Sequence, residues 1–415
     1  MVLPRVRFPA FRDEQGWETA PLEAIANRVS TKNADGQVTR VLTNSAEYGV
    51  LDQRDYFDRD IATAGKVDGY YIVDVGDYVY NPRTSAIAPV GPISRNNIGK
   101  GVMSPLYTVF RFAAENSDFY DHYFRSTGWH SYVRSAASTG ARHDRMSITL
   151  GVFMRMLVPT PHPAEQQKIA DCLTSLDEVI AAQGRKVEAL KTYKRGLMQQ
   201  LFPRAGETIP RLRFPEFRDA PEWEQKGLSA LAIRGSGHTP SRTKAEYYNG
   251  GIKWVSLADS QRLDAGYISQ TSVEISEQGI AHSSAVLHAA DSVILCRDAG
   301  IGKCAVLKTP MAVSQHFMVW TCERGLLSNW FLYYRFQTMK PLFERVASGS
   351  TIKTIGLPFF EELHVAIPPI AEQQRIAGAL AAIDAQTAAE YEKLDCLKTH
   401  KRGLLQQVFP SPEKA

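Results

Sequence analysis

Cysteine is scarce and badly placed for cross-linking: Cys172, Cys296, Cys304, Cys322 and Cys396 are odd in number and contain no CxxC pair. That argues against a disulfide framework and against a zinc ribbon. No apolar run is long enough to span a bilayer and no secretory signal opens the chain, so the expectation is a mature N-terminus and a cytoplasmic protein. A strong charge of one sign is also missing. The net charge is +4 with a pI near 8.6, far from the basicity that by itself announces nucleic-acid binding. Any surface for polyanions must therefore be local. Residues 1–80 hold 9 Lys/Arg against 13 Asp/Glu, whereas residues 81–160 hold 9 against 4, so positive charge gathers late in the first third and can face phosphates there.

Signatures of catalysis are absent too. No GxxxxGK[ST] loop occurs, and Gly99-Lys100 and Gly302-Lys303 lack the upstream glycine and the following hydroxyl residue of a phosphate cradle. Asn81-Pro82-Arg83 shares two letters with the NPPF motif of adenine methyltransferases and reads as a turn. There is no HExxH, no GxSxG, and no carboxylate pair with a lysine set for metal-dependent DNA cleavage. These absences favour a binding protein, with neither catalytic nor metal-ligating residues expected.

What is present is a duplication. Pro4–Glu18, PRVRFPAFRDEQGWE, returns as PRLRFPEFRDAPEWE at Pro210–Glu224, identical at 10 of 15 positions. AEQQKIA at Ala164–Ala170 returns as AEQQRIA at Ala371–Ala377, and LKTYKRGLMQQLFP at Leu190–Pro203 as LKTHKRGLLQQVFP at Leu397–Pro410, both pieces at one offset of 207. A constant offset means that neither copy has an insertion between the pieces. A continuous helix requires this, because one added residue rotates all that follows by about 100°. Residues 19–160 and 225–367 share almost nothing, so the order is constant, variable, constant, variable, constant.

The long constant blocks carry a heptad seam. Steps of four and three from Ile169 meet Leu173, Leu176, Ile180, Gln183, Val187, Leu190, Lys194, Leu197 and Leu201. The second copy runs Ile376, Leu380, Ile383, Thr387, Glu390, Leu394, Leu397, Lys401, Leu404 and Val408. Prolines precede each block and Phe-Pro closes it. A helix over Ala164–Leu201 would be roughly 57 Å long, and its stripe needs a partner, for which the other copy is available. The variable segments alternate strand-like runs (Gly69–Val75, Tyr78–Asn81, Lys253–Leu257, Ser292–Cys296, Ala312–Thr321) with Gly, Pro, Asn and Asp. The spacing of Leu332, Phe336, Met339 and Phe343 predicts a helix over Ser328–Phe343. The fold expected is α+β: two globular heads, residues 1–160 and 204–367, joined by two long helices, residues 161–203 and 368–415, that form an antiparallel coiled coil with an internal pseudo-two-fold repeat.

Base reading needs Arg and Lys for guanine edges and phosphates, Asn and Gln for adenine, and Ser and Thr for either. In the first head such residues gather at Asn81, Arg83, Thr84, then Arg95, Asn96, Asn97 and Lys100, and again at Ser138, Thr139, Arg142 and Arg145. In the second they are Thr239, Ser241, Arg242 and Lys244, then Arg297 and Lys303, Gln315, and finally Ser350, Thr351 and Lys353. Any one of these is also what a solvated loop contains.

The order of head, AEQQ helix, RFPxF entry, second head and closing KRGLMQQLF or KRGLLQQVF resembles the specificity subunits of type I restriction-modification systems over nearly the whole chain. Gly237–Ser241 followed by Tyr247–Val255 resembles a common opening of their target recognition domains, with Tyr248 and Lys253 where Trp and Pro are frequent. Tyr80–Arg83 with Gly101–Tyr107 resembles a second recognition-domain class. The resemblance implies that each head reads half of a bipartite, asymmetric double-stranded DNA target, that the helices set the unread spacer, and that the chain is non-catalytic and needs no cofactor. Two modification subunits carrying S-adenosylmethionine and two motor-nuclease subunits would be its partners. A coiled-coil scaffold with protein-binding heads, or an enzyme, are the alternatives.

Overall fold

The computed structural model describes residues 1–56, 67–113, 118–137, 144–349 and 352–410. They form two compact units, Met1–Gly184 with Glu392–Ala415, and Arg185–Tyr391. These divide each long helix near its middle, because each head takes part of its core from the start of one helix and the end of the other.

In the first unit, β1 (Glu18–Pro21), β2 (Ala26–Arg28), the hairpin β3 (Leu42–Ser45) and β4 (Gly49–Asp52), β5 (Tyr71–Val73), β6 (Tyr78–Tyr80), β7 (Ile93–Arg95), β8 (Gly101–Met103) and β9 (Thr108–Phe112) precede α1 (Asp118–Phe124). After two further short helices come β10 (Leu157–Thr160) and α2 (Pro163–Leu201). The main sheet has the antiparallel order β2-β9-β6-β7. Its inner face is aromatic: Tyr80 stacks on Phe153 with centroids 4.6 Å apart, and Phe112 on Tyr120 at 4.2 Å. Ile169 and Leu173 from α2 join that core with Leu405, Val408 and Phe409.

In the second unit, β11 (Glu224–Gly227), β12 (Ala232–Ser236), β13 (Tyr248–Val255), β14 (Tyr267–Ile268), β15 (Val273–Ile275), β16 (Val293–Cys296), β17 (Cys304–Leu307), β18 (Ala312–Val313) and β19 (Phe317–Cys322) lead into α3 (Asn329–Val346). β20 (His364–Ile367) and α4 (Ile370–Val408) close the chain. The larger sheet has the order β12-β19-β16-β17-β14, and β15-β13-β18 form a second. Alternation along β16 explains burial on both faces: Val293 and Leu295 meet Phe331, Leu332 and Phe336 of α3, whereas Ile294 and Cys296 meet Val255, Val313 and Phe317. The run Ala312–Thr321, expected as one strand, is broken at Ser314–His316. Phe317 N–H bonds the Ser314 carbonyl at 3.1 Å, which lets β18 pair with β13 and β19 with β16.

The sheet order β2-β9-β6-β7 is that of β12-β19-β16-β17, so two heads of unrelated sequence share a topology. In both, the first and last strands pair antiparallel, Glu18 opposite Thr160 and Glu224 opposite Ile367. Each head thus begins and ends at the start of its own long helix. The constant motifs fasten that junction. Arg7 donates twice to Glu165, at 2.7 Å each, and the Trp17 indole donates to the same carboxylate at 2.9 Å. Arg213 and Glu372 repeat the pair at 2.8 and 2.7 Å.

Both helices span 39 residues. All twenty seam positions are buried or half-buried. Their charged members Lys194, Glu390 and Lys401 pair between the helices, whereas the Thr387 hydroxyl donates to the Ile383 carbonyl of its own helix at 2.7 Å. In the second unit Lys194 bonds Asp384 at 2.7 Å and Lys186 pairs with Glu390, so rising numbers on one helix meet falling numbers on the other. In the first unit Lys401 pairs with Asp177. Lys401 and Asp177 stand 207 residues from Lys194 and Asp384, so both ion pairs are one pair used twice.

Candidate nucleic-acid interface

In the second unit four stretches far apart in sequence converge where β16 ends and β19 begins. Arg297 N–H bonds the His316 carbonyl at 2.9 Å, and the Arg297 carbonyl accepts from Ile355 N–H at 2.8 Å. Asp298 bridges to Thr354, which pairs in turn with Ser348. His238 N–H bonds the Val313 carbonyl at 3.0 Å, and the Thr239 hydroxyl donates to the Gln315 side chain. Gly237 is required for this approach, since a Cβ there would lie 2.0 Å from the Val313 carbonyl oxygen. Thr239, Arg297, Gln315 and Lys353 are therefore brought together.

The electrostatics of the cluster are organised around Asp298, which is 9% exposed. His316 Nδ1 stands 2.8 Å from both of its carboxylate oxygens and donates to them when protonated. Asp298, the carboxylate that orients His316, is not among the residues the sequence singles out. The neighbouring Arg297 is half-buried, and its Nε has no hydrogen-bond partner among the described residues. Arg242 and Lys244 are exposed on the loop after Thr239, and the Ser241 hydroxyl bonds that of Thr243 at 2.9 Å. Lys303 is set apart from the cluster, its ammonium donating to the Ser260 carbonyl at 3.0 Å. Ser350 and Thr351 lie outside the described residues.

In the first unit the same construction appears where β6 ends. Thr84 N–H bonds the Asp144 carbonyl and Met146 N–H the Pro82 carbonyl, both at 2.9 Å, and Arg83 bridges to Arg145. Asn81–Thr84 and Arg145 thus form one site, in which Arg83 follows β6 much as Arg297 follows β16. Ser138, Thr139 and Arg142 lie outside the described residues. Asn81 supports the loop instead of facing outward: its amide donates to the Asn44 carbonyl at 2.9 Å and its oxygen accepts from Arg83 N–H at 3.0 Å.

The group Arg95, Asn96, Asn97 and Lys100 starts at the opposite end of the β6–β7 hairpin, where Arg95 faces Tyr78. Asn96 must be removed from the reading residues. It is fully buried, and its amide donates at 2.9 Å to the carbonyls of both Asp74 and Gly99, so no base edge can reach it. Arg95 pairs with Asp118, and Lys100 lies 3.6 Å from Asp74, which leaves Asn97 as the exposed member without a charge partner. Among the described residues no cluster of three or more His, Cys, Asp or Glu is arranged to hold a metal ion, and no helix is long and apolar enough to cross a membrane.

Comparison with known proteins adds three findings. Residues 221–399 match the family model described as the type I restriction modification DNA specificity domain. Two specificity subunits of Methanocaldococcus jannaschii are similar to the chain: that of the type I restriction enzyme MjaIX, 28% identical over 165 residues, and that of MjaVIII, 23% identical over 266. The matched stretches cover 39% and 61% of this chain but 38% and 60% of those relatives. Two solved structures share its fold. One is a chain from a structure of a type I R-M system, with a TM-score of 0.59, 17% identity, and coverage of 95% of this chain and 98% of that one. The other is the type I restriction-modification S subunit of M. genitalium, with a TM-score of 0.54, 12% identity and coverage of 99% of both.

Proposed function

We propose that this chain, a member of the type I restriction-modification specificity family, is the DNA-reading subunit of such a complex. Each head binds one half of a split, asymmetric duplex sequence, and the paired helices set the unread spacer. The observation that carries this reading is the convergence of Thr239, Arg297, Gln315 and Lys353 onto one patch, from loops that share no sequence motif with their counterparts in the first head. Guanidinium, amide and hydroxyl groups on loops held by a rigid sheet are what major-groove base edges require, and loops are the part of a fold that varies without cost to the core. The first head offers Arg83, Thr84 and Arg145 in the same manner.

Chemistry would then belong to partners. Two modification subunits would supply S-adenosylmethionine and methyl transfer, two motor-nuclease subunits would supply cleavage, and this chain would bind no cofactor. Expressed with its modification subunit, the full chain should direct methylation to one bipartite motif, read by methylome sequencing. Alone it should methylate nothing, and methyl transfer by the lone chain would refute the assignment. Arg297→Ala should relax one position of one half-site by about 1–3 kcal/mol of discrimination if the side chain reads a base. Uniform weakening across sequences would mark it as a phosphate contact.

A further inference from the structure

A large hollow of the second unit is separate from the reading cluster. It is a groove of about 1260 Å³ between the last turns of α2, the chain leaving them at Phe202–Arg204, and one flank of α3. Eight Lys and Arg line it against one carboxylate, Glu344. Lys191 pairs with Glu188 at 2.8 Å, Lys194 with Asp384 at 2.7 Å, and Lys340 lies 3.8 Å from Glu344. Arg195, Arg204, Arg211, Arg335 and Arg345 have no carboxylate within ion-pair distance among the described residues.

Four of these arginines are exposed, but Arg335 is only 8% exposed. Its guanidinium sits 6.0 Å from the Phe202 ring centroid, donates to the Pro203 carbonyl at 3.1 Å and to the Thr338 hydroxyl at 3.4 Å, and leaves Nε without a partner. Burial pulls its pKa down to about 10. A buried cation without a counter-ion is costly, and the fold does not need one here. The position 207 residues earlier is Gly128, whose Cβ site lies 3.1 Å from the Pro410 carbonyl oxygen, the counterpart of the Pro203 carbonyl. At that carbonyl the first head presents a glycine where the second presents Arg335.

Two features decide what anion suits the groove. Of its apolar lining residues Met198, Phe202 and Met339 are buried, at 8%, 3% and 7% exposed. The open ones are Ala205, Pro341 and part of Leu342, which form no deep socket for the large apolar anchors of an amphipathic peptide, and the groove exposes no Phe, Tyr or Trp on which single-stranded bases could stack. The groove also adjoins the reading cluster. Lys340 covers Gly302, where a Cβ would stand 2.8 Å from its Cγ, and Arg345 lies three residues before Ser348, which pairs with Thr354.

We propose that this groove binds the phosphate backbone of duplex DNA beside the half-site read by the second head, with Arg335 as the charge at its floor and Arg195 and Arg345 on its rim. The proposal rests on the DNA-reading function above and adds a contact absent from the first head. Arginine forks match phosphate oxygens in pairs, and such contacts carry affinity and salt dependence without base preference.

The test uses the full chain assembled with its modification subunit and a 40-base-pair duplex containing the methylated motif mapped for that complex, with the binding constant measured across a salt series. Each phosphate-contacting arginine removed should lower the slope of log K against log salt by about 0.9. Arg335→Met should therefore lose about 0.9, and the surface variant Arg195→Gln/Arg345→Gln, which spares the core, about 1.8, both with the methylated motif unchanged. An unchanged slope in both variants overturns the proposal, and an unchanged slope with the modification subunit lost on gel filtration assigns the groove to an acidic protein surface. Failure of the unsubstituted complex to select any split sequence would instead overturn the DNA-reading function itself, and the groove with it.

Discussion

Glu165 and Glu372 show why two short motifs, RFPxF and AEQQ, recur together. Each carboxylate is almost wholly buried and takes two hydrogen bonds from an arginine about 158 residues away, Arg7 or Arg213. Removing one partner of a buried pair strands the other charge, at a cost of about 3–5 kcal/mol, whereas replacing both with apolar residues is often close to neutral. Glu372→Ala should thus destabilise the second unit by that amount, and Glu372→Leu with Arg213→Met by much less, both read from urea unfolding monitored in that unit. The acid response of the first unit should depend on His122. Burial, with Arg125 and Lys401 adding to it, pushes this imidazole down to about 4, and its Nδ1 has no partner among the described residues. Below pH 6.5 the unfolded chain takes up the proton first, so stability is retained above that value and is lost as pH falls toward 4. His122→Gln should recover about 2 kcal/mol of the stability lost between pH 7 and pH 5. His130, also held near 4 by burial, would retain part of the effect.

Among the elements, the two long helices are tied in register by ion pairs that reach across the seam. Asp177 with Lys401 and Asp384 with Lys194 mark positions that must stay opposite one another. The Tyr334 hydroxyl also donates to Asp384 at 2.8 Å, so the second pair is anchored to its head as well. An insertion in one helix alone would separate one pair from the other. Matched insertions of four residues after Arg185 and after Glu392 lengthen both helices by about one turn, roughly 6 Å, and nearly keep the seam in phase. Methylome mapping of that variant should show the same half-sites with a spacer longer by one or two base pairs, at about 3.4 Å per base pair. Matched insertions of two residues rotate the seam by about 200° and should abolish methylation.

At the level of the whole molecule, the duplication means that half a chain carries both members of the ion pair that each unit uses once between its helices. Residues 1–205 supply one head, one helix, and both Asp177 and Lys194. In two such halves, Asp177 of each copy can face Lys194 of the other, since Lys194 and Lys401 are equivalent members of the repeat. The half chain is expected to dimerise and, with the modification subunit, to methylate a palindrome built from the first half-site. Sedimentation and methylome sequencing check this, and a monomeric half or an unchanged asymmetric target would count against the pairing.

Sequence by itself determined the repeat, the two long helices and their seam. Identity at a fixed offset and a seven-residue period are linear properties, which a helix converts directly into a stripe. It also picked out the loops carrying Arg83, Thr239, Arg297 and Gln315. Only the tertiary structure decided which polar side chains stay available and which are used internally, because that depends on partners distant in sequence. Asn96 is turned inward by the carbonyls of Asp74 and Gly99, Lys194 is neutralised by Asp384, and His316 is oriented by Asp298. The common sheet order of the two heads was likewise invisible in their sequences, since many different side chains can fill a sheet-and-helix core of the same pattern and volume. Arg335 marks the limit most clearly. On a helical face it looks like any solvated arginine, and only the packing of α2 and α3 around it leaves a cation buried without a counter-ion.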